Sequence, residues 1–160
     1  MNITISPADL DAPEFAELVA AHALFCDQTA PPDSCHRLPL AALAQDDITV
    51  WKAVLDGNLM GMGALKELSK SKGEIKSMHT LSSSRGLGVG NLILATILNE
   101  AKSRGYASLW LETGVHPDFS AAHKLYEAHG FVECGPFDIY QLDPHSMFMT
   151  LNLKPVEMEV

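Results

Sequence analysis

The sequence predicts an α+β domain whose sheet is largely antiparallel, with one strand-helix-strand crossover in its middle. Three observations carry that expectation. Two apolar and β-branched runs, Ile48 to Leu55 and Leu59 to Leu68, flank Asp56-Gly57, a dipeptide that accepts the positive φ angles of a tight hairpin. A further run, Gly73 to His79, follows the polar turn Ser69-Lys70-Ser71-Lys72. After it, a glycine-rich stretch, a helical pattern and a buried-strand pattern succeed one another, the order that a parallel crossover requires.

Along the chain, Asn2 to Ser6 reads as a short edge strand. Pro13 then stands where a first helical turn begins, and Phe15, Leu18, Val19, Phe25 and Cys26 fall on one helical face. Pro31-Pro32 stops that helix, because each proline removes a donor and clashes with the preceding turn. A second short helix is expected over Leu38 to Ala44. The crossover helix runs from about Val89 to Arg104, with Leu92, Ile93, Ala95, Ile97, Leu98 and Ala101 apolar and Gly105 as its stop. Ala107 to Glu112 reads as a buried strand and Ser120 to His129 as a helix closed by Gly130. Phe131 to Cys134 and Ser146 to Leu153 complete the sheet.

Composition bounds the function. With 160 residues, 47% of them hydrophobic and 19% charged, residues 1–160 form one unit without repeats or linkers. Such a chain removes roughly 70% of its unfolded surface from water, so its core needs no disulfides or structural metal. Lys and Arg number 11 against 20 Asp and Glu, a net charge of −9, which excludes a basic stripe for nucleic acid and favours a cationic acceptor by steering. The longest apolar run, Leu92 to Leu98, is interrupted by Thr96 and falls far short of the about 20 residues that cross a bilayer. The start Met1-Asn2-Ile3-Thr4 has no secretory pattern, so a cytoplasmic protein is expected. Cys26, Cys35 and Cys134 are odd in number and widely spaced, as reduced thiols are, and the histidines show no metal-ligand spacing apart from His123 and His129 on one polar helix face.

Arg85-Gly86-Leu87-Gly88-Val89-Gly90 lies between a strand and a helix. Its glycines let the backbone turn sharply, and the free N–H groups of the following helix start favour an anion. A Walker loop fails because Gly90 is followed by Asn91 and Leu92 rather than Lys and Ser or Thr. A dinucleotide fingerprint fails because its third glycine falls on Asn91 or Ile93. Arg85, Gly88 and Gly90 do fit Arg/Gln-x-x-Gly-x-Gly/Ala, and Ala122-His123-Lys124-Leu125-Tyr126-Glu127-Ala128-His129-Gly130-Phe131 fits A-x-x-L-Y-E-x-x-G-F. In this order and separation, the two blocks resemble the GNAT (GCN5-related N-acetyltransferase) superfamily. The likeness covers nearly the whole chain. It extends to a bacterial subgroup of poorly defined substrate through Pro31-Pro32-x-Ser34-x-His36 and Gly135-Pro136-Phe137…Asp143-Pro144-x-Ser146-x-Phe148-Met149.

The resemblance implies a mixed, mostly antiparallel sheet of about six to seven strands flanked by helices, with splayed central strands. It implies acetyl-CoA as donor, a small-molecule acceptor, an amine, that attacks directly in a ternary complex, and a homodimer. The rival reading is a non-catalytic acyl-CoA sensor of the same fold. Met78, His79, Thr80, Arg85, Gly86, Leu87, Gly88, Val89, Gly90, Asn91, Thr113, Ala122 and Tyr126 are then expected at the coenzyme, Tyr126 also as general acid. Glu112 or Glu74 is the expected base, and His36, Phe137 and Tyr140 are expected on the acceptor side. No metal is implied. Leu87 stands where many relatives carry a cation, and Asp118 where many carry an asparagine.

Overall fold

The computed structural model describes residues 2–34, 36–81 and 86–153. Arg85 and Cys35 lie outside them. Seven strands, β1 (Ile3–Pro7), β2 (Ile48–Leu55), β3 (Asn58–Ser69), β4 (Lys72–Thr80), β5 (Ser108–Gly114), β6 (Val132–Cys134) and β7 (Ser146–Asn152), form one sheet in the order β1-β2-β3-β4-β5-β7-β6. Among these neighbours β4 and β5 alone run parallel. Four helices accompany the strands: α1 (Pro13–Thr29), α2 (Leu40–Leu43), α3 (Val89–Ser103) and α4 (Ser120–Ala128).

The hairpin turns as expected, with Asp56 at φ 51° and Gly57 at φ 84°. Helix α2 is shorter than the pattern suggested, because Leu38 precedes Pro39 and is pushed out of the helical region, leaving Pro39 as the residue that caps it. Strand β6 starts at Val132 rather than Phe131. The Phe131 N–H instead donates to the Tyr126 carbonyl, and Gly130 at φ 95° closes α4.

Each face of the sheet carries its own core. Helix α3 covers one with Ile93, Leu94, Ile97 and Ala101 against Trp51, Leu65, Ile75 and Leu109. Helices α1 and α2 cover the other with Phe15, Leu18, Val19 and Leu43 against Val50, Met62 and Ala64. Helix α3 sits close because β3 offers a glycine beneath it: a Cβ on Gly63 would lie 2.5 Å from Ile93 Cγ2 and 2.7 Å from Met78 Sδ.

Two irregularities in β4 shape the site. Its register with β5 stops at Ile75↔Leu111, so the strands part beyond that pair. Its register with β3 shifts between Met62 and Ala64, opposite Ser77, whose φ is +56°. This bulge breaks the alternation of side chains. Ile75 and Met78, three residues apart, both reach the α3 face, and His79 joins the α1 face, where it meets His22.

Gly63→Ala should destabilise the fold by about 1–3 kcal/mol through overpacking against Ile93. Urea denaturation would show a lower midpoint at unchanged slope.

Candidate active site

The parted strands separate two cavities that share Met78 and Phe119 as walls. The first, of about 310 Å³, is lined by Phe25, His79 and Thr80, by Gly86, Gly88, Val89, Gly90 and Asn91 at the start of α3, and by Ala122 and Leu125 of α4. Gly86 at φ 82° and Gly88 at φ 84° make the turn, and open space surrounds the Cβ that either would carry, so backbone conformation rather than crowding calls for glycine there. The helical ladder of α3 begins with Leu92 N–H donating to Gly88 O, which leaves the N–H groups of Val89, Gly90 and Asn91 unused by the helix. No acidic residue stands in that first turn. The positive end of the helix therefore faces the cavity without a neutralising carboxylate on its own turn.

The second cavity, of about 80 Å³, lies on the α1 side of the gap. Its floor comes from Glu74 to Met78 of β4 and from Glu112, Thr113 and Gly114 of β5, and its walls include His22, Ser34, His36, Arg37 and Tyr140. Two loops form the outer wall and are tied together. Ser34 Oγ donates to Asp143 Oδ2 at 2.5 Å, and the His36 and Tyr140 rings meet edge-on with centroids 4.9 Å apart.

The two carboxylates on the floor differ in state. Glu74 is only 2% exposed, and its Oε2 accepts from Lys76 Nζ at 3.1 Å and from the Tyr140 hydroxyl at 2.5 Å. Lys76 also donates to the Tyr140 oxygen at 2.8 Å, which closes a triangle. Burial and Glu74 hold the Tyr140 phenol well above its usual range, so it stays protonated. Glu112 accepts one hydrogen bond, from Ser146 Oγ at 2.7 Å. Burial pushes its carboxyl up to about 7, with the Ser146 bond and Lys76 opposing that rise. Nearby, His22 Nδ1 lies 3.1 Å from His79 Nδ1, and burial holds His22 down at about 3, so it is neutral. Ser77 Oγ is buried at the gap and has no hydrogen-bond partner among the described residues.

Comparison with known proteins identifies this arrangement. The acetyltransferase (GNAT) family model matches residues 13–131. The chain belongs to the GNAT family. It is 43% identical over 150 residues to the uncharacterized N-acetyltransferase YedL of Escherichia coli, covering 94% of each chain. It is 45% identical over 153 residues to the uncharacterized N-acetyltransferase YsnE of Bacillus subtilis, covering 96% of this chain and 100% of that one. A solved GNAT acetyltransferase from Staphylococcus aureus Mu50 superposes with a TM-score of 0.74 at 20% identity, over 96% of this chain and 100% of the other, which speaks to the fold. The protein is thus an N-acetyltransferase with the GNAT fold, its seven-stranded mixed sheet included.

Within this GNAT domain the sequence-predicted residues fall into three groups. Met78, His79, Thr80, Gly86, Gly88, Val89, Gly90, Asn91 and Ala122 line the larger cavity, with Asp118 on its wall. Glu74, Glu112, Thr113, His36 and Tyr140 line the smaller one, which sets Thr113 apart from the other residues expected at the coenzyme. Leu87, Tyr126 and Phe137 line neither. Leu87 turns outward and is 37% exposed; Phe137 stacks behind Tyr140 on Trp110 and Phe148. Tyr126 is 5% exposed in the core against Phe131, near enough to Glu112 for that carboxylate to help burial raise its phenol. His123 and His129, paired by sequence on one polar face, diverge to the Gly114 carbonyl and to Asn91.

Sequence reasoning missed His22, Arg37, Lys76 and Ser146. Lys76 had a readable signal, since it shares a strand face with Glu74 two residues earlier. The other three are brought in by the packing of a helix, a loop and a strand across long sequence distances.

A carboxyl raised from 4.5 to about 7 binds its proton more tightly folded than unfolded. The folded state then loses stability as pH rises through that window, by up to about 3 kcal/mol. Glu112→Gln should flatten this loss, so its stability relative to the parent should be higher at pH 8 than at pH 5 in denaturant titrations. Ser146→Ala removes a bond that holds the carboxyl down and should move its titration, read by carbon NMR, to higher pH.

Proposed function

We propose that the protein transfers acetyl from acetyl-CoA to a small amine by direct attack in a ternary complex, with the coenzyme in the larger cavity and the acceptor in the smaller. The observation that carries this reading is the pair of cavities meeting where β4 parts from β5. The fit to a coenzyme rests on the chain's own groups. The unspent amides of residues 89–91 suit a diphosphate, and Gly86 and Gly88 keep the turn before them open. With Leu87 turned away, the backbone rather than that side chain serves the diphosphate.

The thioester supplies an activated acetyl group when bound. Beyond Ile75 the edge of β4 that faced β5 has no strand partner there, so its backbone groups over Lys76 to Thr80 are available to the acyl oxygen and the pantetheine arm. Glu112 takes the proton of the acceptor ammonium, directly or through a water, and its carboxyl near 7 is matched to that task at neutral pH. Glu74 is a poor base by comparison, since Lys76 and Tyr140 already occupy its carboxylate. Tyr126, whose phenol burial keeps protonated, lines neither cavity, so the leaving thiolate takes its proton from the attacking amine rather than from this ring. In sum the N–C bond forms as the C–S bond breaks, and of the two protons that the acceptor ammonium loses, one passes to Glu112 and the second reaches the departing thiolate.

Calorimetric titration with acetyl-CoA should show one site per chain, weakened in Gly88→Val because a β-branched residue strains φ 84°; absence of binding to the parent would sink the donor assignment. With an accepted amine, kcat/KM should rise as pH passes about 7. Glu112→Gln should abolish that limb and lower kcat by about 100-fold or more. An unchanged profile would move the base elsewhere.

A further inference from the structure

The smaller cavity has a charge balance unlike that of the chain around it. The molecule carries 20 acidic residues to 11 basic ones, yet Arg37 and Lys76 both line this space of about 80 Å³. Each has a carboxylate partner, Glu74 for Lys76 at 3.1 Å and, behind the lining, Asp27 for Arg37 at 3.1 Å. Burial raises the third carboxyl, that of Glu112, to about 7.

Lys76 is only 10% exposed and ion-paired with Glu74. An ammonium has three N–H donors, and among the described residues two are used, on Glu74 and Tyr140. The third is left for what enters the cavity. Arg37 contributes a permanent cation from the opposite, loop-built wall, oriented from behind by Asp27, which meets Nε at 3.1 Å and Nη2 at 3.4 Å and does not itself line the space. His36, whose ring burial and Lys76 keep below its ordinary pKa, adds a neutral ring beside them. The base candidate Glu112 belongs to the strand floor, apart from the loop wall that carries Arg37.

We propose that the acceptor is a small amino acid or a close analogue, its carboxylate received by Lys76 and Arg37 and its amine presented to Glu112. This rests on the acetyl-transfer reading above and adds the substrate class. The chemistry is unchanged: the amine nitrogen gains the acetyl carbon, the thioester C–S bond breaks, and the carboxylate takes no part beyond anchoring.

Thiol release from acetyl-CoA, measured over a panel of L-amino acids each matched with its decarboxylated amine and its carboxamide, tests this. The amino acid of at least one matched set should be turned over about 10- to 100-fold more efficiently than its two partners, as expected for a charge-assisted anchor. Arg37→Gln and Lys76→Gln should shrink that ratio chiefly through KM. Arg37 lies on the surface, so its variant remains informative if removing Lys76 from buried Glu74 unfolds the chain. Amines or amides preferred over amino acids, or a ratio untouched by Arg37→Gln, would overturn the proposal. If nothing in the panel is turned over, calorimetry of amino acids into the protein saturated with coenzyme A decides, and no binding there overturns it as well. Failure of acetyl-CoA itself to bind would take down the donor reading and this one together, whereas binding with the wrong selectivity sinks only this one.

Discussion

The site depends on a sheet that comes apart. Beyond Ile75 and Leu111 the paired central strands lose their hydrogen-bonded register, and the exposed edge of β4 becomes the seam between two cavities. Backbone groups that leave a ladder need other partners, and here they border the two cavities. The bulge at Ser77 is the companion feature. By shifting side-chain parity it keeps Met78 in the α3 core while turning His79 toward α1, so one short stretch of strand serves both cavities.

How the domain holds the seam open follows from packing on either side. Gly63 lets α3 settle onto β3, and the start of α3 with its unspent amides is placed by that contact. On the other face, α1 carries His22 to the wall of the smaller cavity and Phe25 to that of the larger, and both rings meet His79. The smaller cavity differs from the larger in adding to its strand and helix floor an outer wall of loop residues, Ser34, His36, Arg37 and Tyr140.

That division explains what was legible in the sequence. Strand order up to β5 followed from the Asp56-Gly57 hairpin, a polar turn and a helix with glycine at both ends, all local signals. The loop of Gly86 to Asn91 was readable for the same reason, since backbone conformation dictates its residues. The acceptor side was read only in part. His36 and Tyr140 came from family likeness, while Arg37, Ser146 and the tie between Ser34 and Asp143 join positions up to 109 residues apart, and no spacing rule reaches that far. Glu74 shows the limit well. As a sequence position it opens a strand, where a carboxylate is normally solvated, but the Lys76 and Tyr140 partners that make its burial tolerable are set by the fold. Tyr126 carries a similar lesson, because its motif fixed the residue type and left open that the ring would lie in the core.

The clasp between Ser34 and Asp143 separates two kinds of change that an enzyme of this size must accommodate. Both of its arms are loops outside the sheet, and loops accept replacement and insertion at little cost to the core. Replacements in those two arms can therefore reshape the outer wall of the smaller cavity while the strands and helices that build its floor and the larger cavity stay as they are.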